Sequence, residues 1–229
     1  MTEFQKNGKR YLRDAEGNAL EIKYGLPAEV VFCKCCVISN QRPSSAVEFK
    51  HTKESKKETI RFDKNGICDA CRFAERKHRD VDWRERHAQL SELCDRFRSR
   101  NGSYDCLVPG SGGKDSVYAA LMLKNEYGMH PLTVTWAPHL YSDVGWHNHQ
   151  AWVHKGGFDN YLFTPDGQVH RKLTELAYRN LLHPFQPFIF GQKNYAPKMA
   201  VKMGLPLVFY GENEAEYGNP SEDNEKARR

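Results

Sequence analysis

The residues with the clearest chemistry lie in one short stretch, where glycines, hydroxyls and a lysine follow an apolar run. The apolar run, Cys106 to Val108, leads into Pro-Gly-Ser-Gly-Gly-Lys-Asp-Ser at 109–116, and a helical pattern follows. A strand, a glycine turn and a helix N-terminus aim backbone N–H groups and the positive end of the helix dipole at one point. Ser111, Lys114 and Ser116 add side-chain donors there. The stretch therefore predicts a phosphate-binding site.

The spacing of these residues excludes two common phosphate loops. A Walker A loop needs Gly, four residues and then Gly-Lys-Ser/Thr, but Gly113-Lys114 is followed by Asp115, and Val108 stands where the first glycine should be. A Rossmann loop that begins at Gly110 would need glycine at the position of Asp115. The pattern that fits is Ser-Gly-Gly-x-Asp-Ser, which resembles the loop of the PP-loop ATP pyrophosphatases. An ordinary glycine-rich turn is the alternative, and six matched positions disfavour it.

The resemblance to the PP-loop enzymes implies that the loop holds the β,γ-pyrophosphate of ATP while the α-phosphate is attacked, which gives AMP and pyrophosphate. It implies a catalytic role for Lys114 and Asp115. The loop residues that it implies for nucleotide binding are Ser111, Gly112, Gly113, Lys114, Asp115 and Ser116. It also places Thr135 and Trp136, which end the next predicted strand, where these enzymes hold adenine. A core position is an equally good interpretation of Trp136.

The cysteines form a second group with evident chemistry. Cys33 and Cys36 form one C-x-x-C pair, and Cys68 and Cys71 form another after a long spacer. Four thiolates in two such pairs suit a tetrahedral structural Zn²⁺ ion with no open position for water. Cys35 is an alternative to Cys36, or a free thiol. The pattern predicts a zinc ribbon with Zn²⁺ as a structural cofactor.

Composition and charge narrow the class of protein. The chain has 229 residues, a net charge of +5, 39% hydrophobic residues and a mean hydropathy of −0.74. It contains no apolar run of about 18 residues and no apolar signal-peptide core near its N-terminus, so we expect a cytoplasmic protein without a membrane partner. Seven cysteines in such a chain favour metal binding over disulfides. Residues 50–100 hold 15 Lys and Arg against 10 Asp and Glu, which indicates either a solvated face or a surface that follows phosphates.

Hydrophobic periodicity predicts an α/β fold with a parallel sheet after the N-terminal zinc ribbon. The resemblance to the PP-loop enzymes implies that this sheet is doubly wound and of the adenine nucleotide alpha-hydrolase type. The expected domains are an N-terminal lead-in at 1–30, the four-cysteine module at 31–80, a linking helix at 81–102 and the ATP-binding domain at 103–229. Predicted strands are at 46–49, 59–62, 105–109, 132–136, 160–163, 186–190 and 206–210. Predicted helices are at 83–100, 116–127, 147–155, 170–182 and 195–203. A small hairpin between 10–13 and 19–24 is also expected.

The last predicted strand is followed by a cluster of acidic and amide side chains. Gly211, Asn213 and Glu216 form a Gly-x-Asn-x-x-Glu pattern that recurs at this point in PP-loop enzymes, and Glu212 stands between them. Because ligands of open α/β sheets bind beyond the carboxyl ends of the strands, these residues are expected near the α-phosphate. Glu212 and Glu216 are candidates for Mg²⁺ ligands or for a general base that acts on ammonia, with Asn213 as a third catalytic candidate. A solvated helix start is the alternative.

The order of two C-x-x-C pairs, a linking helix and Ser-Gly-Gly-Lys-Asp-Ser is more specific than the loop alone. Together with 33–43, 133–145, 157–171 and 188–220, it closely resembles the N-acetyl sugar amidotransferase family over nearly the whole chain. The resemblance implies conversion of an acetamido group on a nucleotide-linked sugar to an acetamidino group, in lipopolysaccharide O-antigen or flagellar glycan synthesis. It implies ATP, Mg²⁺ and Zn²⁺ as cofactors, a separate glutaminase subunit as the source of ammonia, and a homo-oligomer as one possible state. Family members continue beyond the charged tail at 221–229, so the ATP-binding domain is expected to be incomplete.

Two other functions remain open at this stage. A tRNA-modifying PP-loop enzyme, either a thiolase or a lysidine-type ligase, would use the zinc ribbon and the basic segment 50–100, although nucleic acid is not the partner we expect. A thiolase needs a sulfur carrier near ATP, whereas Cys106 and Cys94 fall on a strand and on an apolar helix stripe. The third possibility is a zinc-ribbon binding module whose PP-loop domain is inert.

Overall fold

The computed structural model describes residues 2–6, 9–13, 26–27, 29–41 and 59–212. The chain divides into two compact units, one that contains the described residues up to Val81 and one that spans Asp82–Asn213. Within the described ranges, no helix has the length and the apolarity that crossing a membrane requires.

The first unit begins with an antiparallel hairpin of strands β1 (Thr2–Lys6) and β2 (Lys9–Arg13). The sequence predicted that 10–13 would pair with 19–24, but the described partner of β2 is β1, and 19–24 lies outside the described residues. Only two residues separate β1 from β2, and a two-residue connection is the shortest common hairpin loop. Bringing two strands together over so short a connection costs the chain little conformational entropy.

Two short turns carry the cysteine pairs of the first unit. In the first, Phe32 and Ser39 form an isolated antiparallel bridge. In the second, Phe62 bridges to Cys68, and the Asp63 carboxylate accepts hydrogen bonds from the Asn65 and Ile67 backbone N–H groups at 2.9 and 2.8 Å. Helix α1 (Asp69–Arg79) follows directly. The predicted strand at 59–62 is present only as bridged residues at its two ends, and the predicted strand at 46–49 lies outside the described residues.

The second unit opens with helix α2 (Trp83–Phe97), whose N-terminus is capped by the side chain of Asp82. A three-stranded parallel sheet follows, formed by β3 (Cys106–Pro109), β4 (Pro131–Trp136) and β5 (Asn160–Phe163). Four more helices alternate with these strands or follow them: α3 (Lys114–Asn125), α4 (Asp143–His154), α5 (Gly167–Leu181) and α6 (Gln186–Met203). The predicted parallel α/β sheet is confirmed.

The central position of β3 determines where a ligand can bind. The order in the sheet is β5, β4, β3, and on the other side of β3 the backbone at Leu207–Phe209 pairs in parallel with Leu107. The Leu107 N–H donates to the Leu207 carbonyl, and the Phe209 N–H donates to the Leu107 carbonyl, both at 2.9 Å. The chain therefore leaves β3 towards β4 and returns on the opposite side. Such a reversal opens a crevice at the carboxyl end of the strand.

Helices cover both faces of β3, whose first three residues are fully buried. Cys106 and Val108 pack with residues of α2, α3 and α4 on one face, and Leu107 packs with Val134 and α6 on the other. Each large apolar side chain buried in this way contributes roughly 1.5–3 kcal/mol relative to exposure. A strand buried on both faces has a continuous apolar sequence, which is why β3 was recognisable in the sequence.

Two predicted strands differ in the structure. The run Gln186-Pro-Phe-Ile-Phe190 was predicted to be a strand but forms the first turns of α6, which also includes the predicted helix at 195–203. A short apolar run does not distinguish a strand from a buried helix, and Pro187 is well placed in a first helical turn, where its missing N–H has no partner to lose. The predicted strand at 206–210 is reduced to a bridge at Val208. Pro206 has no N–H to donate to a ladder there.

Candidate functional site

The glycine loop, Gly110–Gly113, leaves the end of β3 and ends as the N-cap of α3. The Gly110 N–H donates to the Val134 carbonyl at 3.0 Å, Gly112 has a φ of +88°, and Gly113 has extended angles. In this described segment no side chain caps α3. The first turn of a helix has N–H groups without partners inside the helix, so the loop presents donors and the positive helix end at the crevice beside β3. This geometry suits an anion.

Two of the loop glycines are required by close packing, and a third faces open space. A methyl group at Gly110 would overlap the side chain of Ser116, and one at Gly112 would lie 2.7 Å from the Cα and N atoms of His149. A methyl group at Gly113 would meet nothing within 4 Å. The loop is thus pressed against the protein at Gly110 and Gly112 and open at Gly113. A phosphate has access on the open side.

The charged side chains of the loop form an exposed pair. Lys114 Nζ lies 2.6 and 2.8 Å from the two carboxylate oxygens of Asp115, and the Lys114 side chain is 83% exposed against 30% for Asp115. Ser116 Oγ donates to the Gly113 carbonyl at 3.1 Å. An exposed ion pair contributes about 0–1 kcal/mol, so the Asp115 carboxylate itself holds Lys114 only weakly.

The segment after Val208 passes directly over the first turn of α3. A methyl group at Gly211 would lie 2.6 Å from the Asp115 carbonyl carbon and from the Ser116 backbone nitrogen. Glu212 follows Gly211 in the sequence and is exposed, so this contact places it close to the first turn of α3. The other two predicted catalytic residues of this segment, Asn213 and Glu216, lie outside the described residues.

The two residues predicted for adenine point to opposite faces of the sheet, as neighbours on a strand do. Thr135 is fully buried, and its hydroxyl accepts a hydrogen bond from Asn160 Nδ2 at 3.1 Å, so its side chain is not accessible to a nucleotide. Trp136 stacks on Phe163 with ring centroids 5.0 Å apart. A methyl group at Gly191 of α6 would overlap its indole.

Trp136 forms one wall of a largely apolar cavity of about 670 Å³ between α5 and α6. Phe163 and Phe190 line it with Trp136, and so does His170, which stacks on His139 at 4.4 Å between ring centroids. Burial, and then the neighbouring His170, lower the pKa of His139. The size falls in the range of small-molecule sites, and the cavity lies where β4 and β5 end.

His149 is a site residue that the sequence did not reveal. It is 3% exposed on α4, its ring is nearly parallel to that of Trp146, and its backbone supports Gly112. Its Nε2 atom lies 3.3 Å from Thr135 Oγ1. Burial lowers the pKa of His149, which keeps the ring neutral at neutral pH, although its interaction with Asn160 acts in the opposite direction. The sequence gives no signal for it, because a histidine in a helical pattern is ordinary.

The structure brings the four predicted zinc ligands together in the first unit. The sulfur atoms of Cys33, Cys36, Cys68 and Cys71 all lie within 4.8 Å of one another, with 3.8 Å between those of Cys36 and Cys68. A tetrahedral ion with Zn–S bonds of about 2.3 Å separates its ligands by about 3.8 Å, so the donor set fits structural Zn²⁺. The Cys35 sulfur does not belong to this group.

The cysteine cluster also has the hydrogen bonds that thiolates need. The Cys33 sulfur accepts from the Cys35 and Cys68 backbone N–H groups, both at 3.3 Å. Burial raises the pKa of Cys33, but these backbone donors and that of Cys36 outweigh it and bring the pKa to about 6. Burial raises the pKa of Cys71, and the nearby thiols raise it further. Thiolates that lie close together repel one another, which raises the pKa of the group. The charge of a bound cation offsets this repulsion.

Comparisons with known proteins give partial similarities. No family model matches the chain. An uncharacterized protein of Methanocaldococcus jannaschii, MJ1599, is 31% identical over 84 residues, which make up 37% of this chain and 29% of that protein.

Three similar solved structures are enzymes by name. NMN synthetase from Francisella tularensis has 15% identity and a TM-score of 0.43, and the match covers 56% of this chain and 51% of that one. NH3-dependent NAD synthetase from Campylobacter jejuni has 11% identity and a TM-score of 0.44, with 59% of each chain covered. The U34-tRNA thiolase NcsA from Methanococcus maripaludis, solved with its [4Fe-4S] cluster, has 14% identity and a TM-score of 0.40, with 81% and 55% covered. The chain thus spans little more than half the length of these structures, and its chemistry has to be argued from its own residues.

Proposed function

We propose that this protein is an ATP-dependent sugar amidotransferase. It converts an N-acetyl group on a nucleotide-linked sugar to an acetamidino group, in the synthesis of a surface glycan, with ammonia from a separate glutaminase subunit. The observation that carries the ATP-dependent step is the glycine loop, which is open at Gly113, leads into an uncapped α3 and lies beside the reversal of the sheet at β3. The sugar and the glutaminase rest on the sequence resemblance.

The reaction needs ATP because an amide carbon is a poor electrophile and its oxygen is a poor leaving group. In the first step the amide oxygen attacks the α-phosphorus of ATP, the bond to the bridging oxygen breaks, and pyrophosphate leaves. The product is an O-adenylyl imidate. Ammonia then attacks the imidate carbon, AMP leaves with the former amide oxygen, and loss of a proton gives the amidine. No protein nucleophile is required, so the enzyme acts by positioning and by neutralising charge.

The residues around the loop fit these requirements. The N–H groups at the start of α3, with Ser111 and Ser116, bind the pyrophosphate portion, and Lys114 leaves Asp115 to neutralise its growing charge. Glu212 is positioned by the contact between Gly211 and α3. Among the described residues of this segment, Glu212 is the candidate for holding Mg²⁺ or for accepting a proton as ammonia attacks. Bound Mg²⁺ would supply further neutralisation of the phosphate oxygens.

An assay that omits one component at a time tests the proposal. The protein is incubated with ATP, Mg²⁺, an ammonium salt and an N-acetylated nucleotide sugar, and pyrophosphate and AMP are measured. We expect turnover only when all components are present, and a sugar product in which one oxygen has been replaced by NH. Ser116→Ala should lower the rate and leave the metal content of the cysteine cluster unchanged. Pyrophosphate release that is independent of the sugar would contradict the proposal.

A tRNA-modifying PP-loop enzyme is the second candidate, and one observation favours it. The last turn of α1, directly after the cysteine cluster, carries four basic side chains: Arg76, Lys77, His78 and Arg79. Arg79 pairs with Asp80 and Glu75, and His78 is exposed. Basic side chains near a metal module can contact a phosphate backbone, and the affinity then falls steeply with salt. Tight and salt-sensitive tRNA binding, together with ATP turnover that depends on tRNA and not on sugar, would replace the first candidate with this one.

A further inference from the structure

Helix α4 supports the glycine loop at two points. The middle of the loop rests on the helix backbone, because the Cα atom of Gly112 lies so close that an added methyl group would meet His149 N and Cα at 2.7 Å. The start of the loop rests on a helix side chain, since a methyl group at Gly110 would lie 2.9 Å from the indole of Trp152. His149 and Trp152 are three residues apart and so lie on the same face of α4. The position of α4 therefore sets the position of the loop.

Trp152 holds this face of α4 by apolar packing, whereas His149 holds it by a polar link to the sheet. Trp152 is 2% exposed within the core cluster of β3 and α3. The His149 ring is 3% exposed, and its Nε2 atom lies 3.3 Å from the hydroxyl of Thr135 on β4. That hydroxyl accepts a hydrogen bond from Asn160 Nδ2, which leaves its own proton for the imidazole.

This link joins β5, β4 and α4 and runs from the first residue of β5 to the next-to-last residue of β4. Asn160 of β5 donates to both Thr133 Oγ1 and Thr135 Oγ1 of β4, at 2.9 and 3.1 Å, and Thr135 meets His149 of α4. A buried hydrogen bond has a narrow range of favourable lengths and angles, whereas two elements in apolar contact can shift relative to each other at little cost. The Thr135–His149 contact thus fixes the distance between α4 and β4. The backbone of the same histidine contacts Gly112 of the loop.

We propose that His149 is a positioning residue for the glycine loop: its side chain ties α4 to Thr135, and its backbone holds Gly112 in the conformation that binds pyrophosphate. His149 does not touch the phosphates itself. The effect passes through the α4 backbone to Gly112, which has a φ of +88° and no room to move towards the helix. The inference rests on the proposed function only in so far as that function makes the loop a pyrophosphate site.

Binding measurements on the full chain test this inference without requiring the sugar substrate. Isothermal titration with inorganic pyrophosphate and with ATP, both with Mg²⁺, compares wild type with His149→Ala, His149→Gln and Thr135→Val. His154→Ala is the matched control, since His154 is an exposed histidine at the far end of the same helix. We expect His149→Ala to weaken pyrophosphate binding roughly tenfold, about the effect of one hydrogen bond.

The remaining variants separate positioning from general destabilisation. The amide of His149→Gln can reach Thr135 Oγ1, so this variant should recover most of the affinity. Thr135→Val removes one hydroxyl at nearly constant volume and should weaken binding as His149→Ala does, even if the alanine variant folds poorly. His154→Ala should bind as wild type does. Thermal unfolding is measured for every variant.

Two results would overturn the inference, and they have different meanings. If wild type binds pyrophosphate and the His149 and Thr135 variants bind it equally well, the loop is a phosphate site but His149 does not position it. The same conclusion follows if Ala and Gln weaken binding equally and only in proportion to their loss of thermal stability. If wild type binds neither pyrophosphate nor ATP, the proposed function fails and this inference fails with it.

Discussion

Gly112 and Gly113 are neighbours with opposite steric requirements, and this contrast gives a test at the scale of single residues. Gly112→Ala would place a methyl group 2.7 Å from the backbone of α4 at a φ of +88°. A side chain in such a conformation, with no room for it, costs about 1–3 kcal/mol. We expect a lower free energy of unfolding in urea and a loss of ATP binding.

Gly113→Ala is the control for that substitution. Gly113 has ordinary extended angles, and an added methyl group meets nothing within 4 Å. Gly113 is the N-cap of α3, where alanine is less favourable than glycine, so the free energy of unfolding should fall by at most about 1 kcal/mol, less than in Gly112→Ala. Equal losses of stability in the two variants would show that Gly112 is not under the constraint described.

The loop residues could be predicted from the sequence, whereas His149 could not. A phosphate loop is defined by spacing along a few consecutive residues, so Ser111–Ser116 carries its own signal. The role of His149 depends on how α4 crosses the end of β4, which brings Thr135 and Gly112 to the same helix. That crossing is a tertiary property. The burial of Thr135 likewise follows from which face of β4 it occupies.

At the scale of elements, the contact between Gly211 and the first turn of α3 joins the end of the sheet to the loop. Gly211→Ala would force the chain away from Asp115 and Ser116, because the new methyl group would lie 2.6 Å from their backbone atoms. A displacement of about 1 Å in a catalytic segment can lower a rate roughly 100-fold. We expect a large decrease in the rate of pyrophosphate release, measured at saturating ATP.

Gly167→Ala is the matched control for Gly211→Ala. Gly167 is the first residue of α5, and an added methyl group there meets nothing within 4 Å. This variant should release pyrophosphate at the wild-type rate. A wild-type rate in Gly211→Ala would mean that the segment around Glu212 does not take part in the reaction.

The elements were predictable where the sequence carried two independent signals. The three strands β3, β4 and β5 combine apolar runs with flanking turns and helical patterns, and all three are present. The run 186–190 carried only an apolar signal, and the strand predicted there was wrong. Pro187 and the packing of α6 on the sheet favour a helix instead. Short apolar runs take their structure from what they pack against.

At the scale of the whole molecule, the cluster of Cys33, Cys36, Cys68 and Cys71 gives a test of how the first unit is held together. We expect purified protein to contain about one zinc per chain, and Cys68→Ser to lose that metal, because a structural site needs all four thiolates. Metal analysis and solubility are the measurements. Cys35→Ser is the control, since the Cys35 sulfur lies outside the group of four. Loss of metal in Cys35→Ser, or full metal in Cys68→Ser, would contradict the assignment.

The α/β class, the parallel sheet and the cysteine pairing could be predicted because each has a short-range signature. The substrate has none. Sugar recognition depends on side chains from distant parts of a chain, and the 670 Å³ cavity between α5 and α6 is visible only once those helices are packed. The sugar and the glutaminase therefore rest on the order of motifs along the chain.

The most direct test follows the oxygen atom of the amide. An N-acetylated nucleotide sugar that carries heavy oxygen in its acetamido group is incubated with the protein, ATP, Mg²⁺ and ammonia, and AMP is examined by mass spectrometry. If the loop activates the amide by adenylation, the heavy oxygen is transferred to the phosphate of AMP in equal amount to the amidine formed. AMP without the label would mean that the amide oxygen never attacked the α-phosphorus, and it would contradict the proposed function.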